Sequence, residues 1–247
     1  MKNSDTWQPS KYIYRNGKLI GSRDPKEVGI GSRLMADIIA GLYNDNLRQH
    51  AKGRLLDLGC GNVPLYHVYK NLVTDNICVD WENTRHNNVH LDFECDLTKT
   101  LPFQNEEFDT IILSDVLEHI AQPENLWAEM VRILSINGKL IMNVPFYYWL
   151  HEQPNDYYRY TEFALQRFVR ISGLKLIKLD SIGGTPEIIT DIFAKNILHV
   201  PKIGRSLALF SQWITCSFIM TRFGKKISEA TKAHFPFGYI LIAQKQE

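Results

Sequence analysis

Apolar residues run along this chain in short β-prone clusters separated by stretches with helical spacing, a pattern that predicts a parallel sheet interleaved with helices. Arg54–Leu58 is the first expected strand of that sheet and Leu65–Leu72 the helix after it. Asn76–Asp80 is the second strand, Val89–Phe93 a short third and Thr110–Ser114 the fourth. Pro123–Leu134 has an amphipathic helical pattern with proline in its first turn, and Asn137-Gly138 is expected to stop it. Lys139–Val144 is the fifth strand. Glu162–Ser172 is a helix opened by Thr161 and closed by Gly173, Leu174–Leu179 the sixth strand and Tyr239–Ala243 the seventh. Ahead of the sheet, Asn16-Gly17 between β-prone runs predicts a hairpin over residues 11–21, and apolar spacing from Asp24-Pro25 to about Gln49 predicts a helix. The expected fold is therefore α/β, a doubly wound seven-stranded and mostly parallel sheet with an N-terminal hairpin and helix. The expected organisation is an extension over residues 1–50, a core over 51–186, a helical insertion over 187–236 and a last core strand over 237–247.

The sharpest chemical signal is Leu55-Leu56-Asp57-Leu58-Gly59-Cys60-Gly61-Asn62. An apolar run ending in Asp-x-Gly-x-Gly is a buried strand turning into a glycine loop, at the sheet edge where open α/β folds bind ligands. A dinucleotide fingerprint would place a third glycine at position 64, where this chain has Pro64. The carboxylate of Asp57 beside the loop repels a pyrophosphate and suits a cationic ligand. S-adenosylmethionine, with its ammonium and sulfonium, fits that demand, and NAD does not. Asp80 ends the second strand 23 positions after Asp57, close to the spacing at which an acidic residue accepts hydrogen bonds from an adenosine ribose. Trp81 could cover an adenine face or fill the sheet edge, and Asp96, followed by Leu97, could take the adenine amino group.

Composition narrows the class. At 247 residues, 45% apolar and 22% charged, the chain is globular, and a net charge of +1 gives no electrostatic reason to expect nucleic acid. The cysteines Cys60, Cys78, Cys95 and Cys216 lack paired spacing, which points to thiols in a reducing cytoplasm rather than to disulfides or zinc. Residues 1–10 are polar, so no secretory signal is expected. His50, His67, His86, His90, His199 and His234 are scattered over solvent or helix faces, and no metal ligands are expected.

In these motifs the chain resembles the class I S-adenosylmethionine-dependent methyltransferases, particularly the type 11 small-molecule group, over about residues 52–182. Leu55 to Gly61 resembles the family's first motif, which cradles the methionine moiety, and Asp80 stands where its acidic ribose ligand stands. Asp96-Leu97 resembles the adenine-side motif. Leu101-Pro102-Phe103 through Phe108-Asp109 resembles the connector, and Ser114-Asp115-Val116-Leu117-Glu118-His119-Ile120 the strand-four motif. The resemblance implies a Rossmann-like methyltransferase fold, S-adenosylmethionine as cofactor, and Asp57, Gly59, Gly61, Asp80, Trp81, Asp96, Leu97 and Ser114 as the residues that hold it.

After the fifth expected strand, residues 145–161 crowd His151, Glu152, Asp156, Arg159 and several tyrosines into one loop. Each such polar group needs a partner if buried, and loops on rigid scaffolds carry binding residues. The segment is similar to the H-E-x-P-x-D-Y-x-R-Y/F-T stretch of a bacterial methyltransferase subgroup associated with polysaccharide biosynthesis. Asp156, Tyr157 and Arg159 are the expected substrate contacts; the alternative is a self-contained Asp156–Arg159 cap. His151, then His119, are the expected general bases for a hydroxyl acceptor.

Ser206–Met220 is uncharged and rich in Leu, Phe, Trp and Ile, with Lys202, Arg205, Arg222, Lys225 and Lys226 around it. Its fifteen residues fall short of the roughly 20 that span a bilayer. It either packs in a helix pair or lies against anionic lipid. The function expected is methyl transfer to a small-molecule or glycan-like acceptor in the cytoplasm, with weak peripheral contact at the inner membrane face as a variant. C-methylation of a lipid-like ring and a non-catalytic cofactor-binding domain that docks a partner are the alternatives.

Overall fold

Tyr12–Arg15 (β1) and Lys18–Gly21 (β2) form the expected hairpin, and both turn residues, Asn16 (φ 51°) and Gly17 (φ 75°), take the left-handed conformation that a type I′ turn requires. There follow Arg33–His50 (α1), Arg54–Leu58 (β3), Tyr66–Tyr69 (α2), Asp75–Asp80 (β4), Phe93–Glu94 (β5) and Phe108–Ser114 (β6). Pro123–Ile133 (α3), Leu134–Pro145 (β7), Glu162–Ile171 (α4) and Lys175–Ile182 (β8) come next. Thr185–Ile197 (α5), Gly204–Ile219 (α6), Arg222–Thr231 (α7) and Gly238–Gln244 (β9) complete the chain. The structure, a computed structural model, describes residues 1–81 and 88–247. Its contacts divide the chain into two units, one of Met1–Gln8, Asp45–Asp180 and Tyr239–Glu247, the other of Pro9–Asn44 and Ser181–Gly238.

The first unit holds the seven-stranded sheet, in the order β5-β4-β3-β6-β7-β9-β8. β3 lies parallel to β4 on one side and to β6 on the other, with Leu56 opposite Ile77 and Ile111. β4–β5 and β6–β7 are parallel as well. From β3 the chain steps outward through β4 to β5, then returns to β6 on the far side of β3. That reversal opens a crevice at the carboxyl ends of β3 and β6, the place where such sheets bind ligands. Apolar residues of β3, β6 and β7 pack with those of α3 and α4 in one core, in which Trp127 and Phe168 stack at 4.9 Å. Thr161 caps α4 by accepting the Ala164 N–H at 3.2 Å, a contact of about 1 kcal/mol.

Four local expectations are corrected. Val89–Phe93 is not a strand: Asn88–His90 is a 3-10 turn, and only Phe93 and Glu94 pair with β4. Asn137-Gly138 does not stop α3, which ends at Ile133 and runs directly into β7. Residues 135–138 instead bulge out of register between the Phe108–Leu134 and Thr110–Lys139 pairs, Asn137 taking φ 63° there. α2 has one turn rather than two. α1 starts later than its apolar spacing suggests, because Asp24 accepts the Lys26 N–H on its side chain and those of Glu27 and Val28 on its carbonyl, holding a turn.

The second unit holds the hairpin, the start of α1 and the helices α5, α6 and α7. The buried Gln212 side chain accepts the Leu34 N–H at 2.9 Å and donates to the Ile30 carbonyl at 2.8 Å. Thr190 and Thr215 share a hydroxyl bond at 2.6 Å, and Asp191 pairs with Lys195 at 2.5 Å. A Cβ at Gly204 would lie 2.2 Å from the Ile197 carbonyl oxygen, so glycine lets α6 start close against the end of α5. On α6 and α7, Phe210, Trp213, Ile214 and Phe223 are exposed, as is Met220 between them. No described helix is long and apolar enough to cross a membrane.

Candidate active site

Five chain segments leave the carboxyl edge of the sheet and converge on its crevice. The glycine loop leaves β3 with Gly59 at φ 68° and Gly61 at φ 53°. A Cβ on Gly59 would come 2.4 Å from Val116 Cγ2, so the loop sits tight against the segment after β6. Asp57 at the end of β3 is buried, and its carboxylate takes the Tyr69 hydroxyl at 3.1 Å. Burial, opposed by that bond and reinforced by Asp80, pushes its carboxyl up to about 7. Asp80 closes β4: one oxygen accepts the Gly61 N–H and the other the Trp81 N–H, both at 2.7 Å. The carboxylate therefore fixes the glycine loop itself, and each carboxylate oxygen can accept a second hydrogen bond from a ligand diol.

Beside Asp80 lies a cleft of about 220 Å³ lined by Trp81, Glu94, Cys95, Asp96 and Lys99. Trp81 is exposed there. Asp96 is held by the Thr98 N–H and hydroxyl and by Lys99 at 3.2 Å, and these hydrogen bonds keep its carboxyl below the usual range. Leu97 is buried behind it. Ser114, ending β6, donates to Asn143 Oδ1 at 3.0 Å, and Asn143 donates in turn to Asp115. Glycine backbone, three carboxylates at three strand ends and an exposed indole beside a cleft match the acceptor needs of an ammonium, a ribose diol and an adenine amine. The residues present fit S-adenosylmethionine.

The other half of the site comes from the turn Leu117–His119 after β6 and the loop 146–161 after β7. The histidine scatter predicts no metal triad, yet folding brings the side-chain donors of Glu118, His119 and His151 within 4.8 Å of one another. The two imidazoles meet edge to face at 4.7 Å. His119 Nε2 and His151 Nε2 lie 3.8 and 3.9 Å from Glu118 Oε1. Glu118 is fully buried, and among the described residues neither of its carboxyl oxygens has a hydrogen-bond partner. Burial, with Asp115 adding, raises its carboxyl well above the usual range. Burial, with His119 adding, lowers His151.

Asp156 and Arg159 form a forked pair, at 2.5 and 2.8 Å, and Asp156 also accepts the His151 N–H at 2.9 Å. The Arg159 fork holds the Asp156 carboxyl far below its ordinary value. Tyr157, exposed, bonds Asn155 through its hydroxyl. The N–H groups of Tyr157 and Tyr158 both donate to the Glu118 carbonyl, at 2.9 and 3.2 Å. Reasoning from sequence missed Glu118, although it sits beside His119 in the strand-four motif, and missed Tyr69 and Val116, whose roles depend on long-range packing. Among the other histidines, His50 meets Lys139 at 3.1 Å and His67 packs on Trp7 at 5.5 Å. His86 lies outside the described residues. The four cysteines are unpaired, Cys216 being exposed.

Residues 56–142 match the type 11 family described as Methyltransferase domain. No curated protein matches the chain. A S-adenosylmethionine-dependent methyltransferase from Archaeoglobus fulgidus superposes with a TM-score of 0.56 at 15% identity, covering 87% of this chain and 97% of that one. A methyltransferase of Haloferax volcanii solved with the Trm112 methyltransferase activator gives 0.57 at 16%, covering 91% and 95%. The cyclase SpnF gives 0.56 at 17%, covering 96% and 87%. These likenesses establish a fold that serves more than one reaction. Residues 56–142 thus match a family described as Methyltransferase domain, on a fold that an S-adenosylmethionine-dependent methyltransferase shares.

Proposed function

We propose that this protein methylates an oxygen of a small or glycan-like acceptor, in polysaccharide or lipid-linked glycan biosynthesis. The observation that carries the reading is the pair His119–His151 set against buried Glu118, on the same sheet edge as the glycine loop. Bound S-adenosylmethionine supplies an activated methyl group on a sulfonium. Asp57, Gly59, Gly61 and Asp80 would hold its methionine and ribose parts, and Trp81, Asp96 and Leu97 the adenine side, with Ser114 at the end of β6 on the other side of β3 as a further cofactor contact. The chain's remaining tasks are to align the acceptor, exclude water and take a proton. His151 is the first candidate for the base and His119 the second. Asp156 and Arg159 hold the loop, and Tyr157 offers an exposed ring and hydroxyl to the acceptor.

The test is turnover against cofactor affinity on an acceptor panel of hydroxylated sugars and lipid-linked glycans. His151→Ala should lower turnover at least about a hundredfold, the low end of what one acid–base group contributes, and Arg159→Ala should lower it as well. Their affinity for S-adenosylhomocysteine should stay near wild type. Wild-type turnover in both variants would make the loop merely structural.

A second feature supports a membrane-proximal acceptor. Phe210, Trp213, Ile214, Met220 and Phe223 are exposed on or beside α6 and α7, with Arg205, Arg222, Lys225 and Lys226 nearby in sequence. Large exposed apolar groups with basic neighbours suit an anionic lipid surface. We read this as weak peripheral association at the inner membrane face.

A further inference from the structure

We infer that Glu118, His119 and His151 form a binding site for one first-row divalent transition-metal ion, a two-histidine, one-carboxylate set with open positions. The three side chains come from two separate loops, and their donor atoms all lie within 4.8 Å of one another. Metal–nitrogen and metal–oxygen bonds of about 2.0–2.2 Å would set donors about 3.4 Å apart around a tetrahedral ion. The observed 3.8 and 3.9 Å from Glu118 Oε1 to the two Nε2 atoms need a contraction of about 0.5 Å, and the edge between the two imidazoles, within 4.8 Å, one of up to about 1.4 Å.

Hydrogen bonding sets the polarity of this cluster. His119 Nδ1 lies 2.8 Å from the Asn155 carbonyl, which can only accept, so Nδ1 carries the proton and Nε2 presents a lone pair. His151 Nδ1 faces two acceptors, the Trp149 carbonyl at 3.3 Å and Asp156 Oδ2 at 3.4 Å, which select the same tautomer. A ligand histidine oriented through its other nitrogen by a carbonyl or carboxylate is the usual support of a metal site. Two lone pairs and the Glu118 carboxyl therefore converge. A proton on Glu118 would not bridge them, because 3.8–3.9 Å is too long for a hydrogen bond. Among the described residues both buried Glu118 oxygens lack a hydrogen-bond partner, a demand that a bound cation would meet. Glu152 Oε2, 3.9 Å from His119 Nε2 on the exposed side, is within reach as a further ligand. Imidazole with carboxylate suits zinc, iron(II) and their neighbours better than calcium or magnesium.

One consequence rests on the methyl-transfer reading: an ion there would leave neither imidazole free as a base, and an acceptor oxygen would fill an open position, where its proton is more acidic. The site itself does not depend on that reading. Tag-free protein, stripped with a chelator, is titrated with Zn²⁺ by calorimetry and with Co²⁺ by visible absorption. S-adenosylhomocysteine binding is measured on the same samples. One ion per chain is expected, with affinity reduced at least about tenfold in His119→Ala, His151→Ala and Glu118→Gln, while the histidine variants keep wild-type circular dichroism. Absence of stoichiometric binding, or binding unchanged in the His119→Ala/His151→Ala double variant, overturns the site. Should Glu118→Gln fail to fold, the histidine variants decide. Metal binding without cofactor binding would uphold the site and sink methyl transfer; the reverse would sink only the site.

Discussion

Gly59→Ala probes the contact that ties the glycine loop to the segment after β6. Gly59 has φ 68°, where an alanine costs about 1–2 kcal/mol. Its new Cβ would lie 2.4 Å from Val116 Cγ2 and 3.1 Å from Cγ1, a clash between chain segments that cannot both yield. Overpacking of this kind costs about 1–3 kcal/mol. The sum, about 2–5 kcal/mol, is a large share of the roughly 5–15 kcal/mol that holds a domain folded. Urea unfolding followed by tryptophan fluorescence measures it. Val116→Ala removes both clashing methyls, so the double variant should recover the steric part and keep the conformational part. A double-mutant cycle should then return a favourable coupling of about 1–3 kcal/mol. Calorimetry with S-adenosylhomocysteine should show binding lost in Gly59→Ala and partly restored in the double variant. Unfolding of Gly59→Ala coincident with wild type would refute the reasoning, and so would additivity within about 0.5 kcal/mol.

Two other expectations concern Asp57 and α6. Burial, with Asp80, sets the Asp57 carboxyl at about 7 against an ordinary 3.8, so its contribution favours folding below about pH 4 and is lost as pH rises to about 7. That amounts to about 4 kcal/mol at 1.36 kcal/mol per pH unit, a slope that Asp57→Asn should remove from the stability profile. A bound ammonium favours the ionised form, so cofactor affinity should rise by up to about tenfold per unit toward pH 7 in wild type and stay flat in Asp57→Asn; equal slopes would exclude Asp57 as the ammonium partner. For α6, wild type should float with anionic liposomes at low salt and be released at high salt, and Phe210→Glu/Trp213→Glu should stay behind. Wild type remaining wholly soluble at low salt would remove lipid from the account.

The parts of the fold legible in the sequence are those in which local and long-range demands agree. Arg54–Leu58 is strand in both, because a continuous apolar run suits a strand buried on both faces. Thr161 and Gly173 bound α4 as expected, since a cap and a left-handed glycine are short-range chemistry. Asn137-Gly138 misled for an instructive reason. A dipeptide able to take left-handed φ fits a bulge as well as a turn, and only the register against Phe108 and Thr110 distinguishes them. That Asp57, Asp80 and Asp96 lie at or just past strand ends was readable from the apolar runs beside them. The Glu118–His119–His151 cluster was not, since 32 residues separate His119 from His151 and only the pairing of β6 with β7 brings their loops together.

The Glu118 carbonyl accepts the Tyr157 and Tyr158 N–H groups, so the loop after β7 is latched to the backbone of residue 118. Scaffold and chemistry at that residue therefore reside in different atoms. Side-chain replacement at 118 can change the charge and ligand set of the crevice while the two latch bonds persist. Slow amide exchange at Tyr157 and Tyr158 would report the closed loop independently of any reaction. Position 118 is thus a place where a new reactive group could be installed without redesigning the loop that covers it.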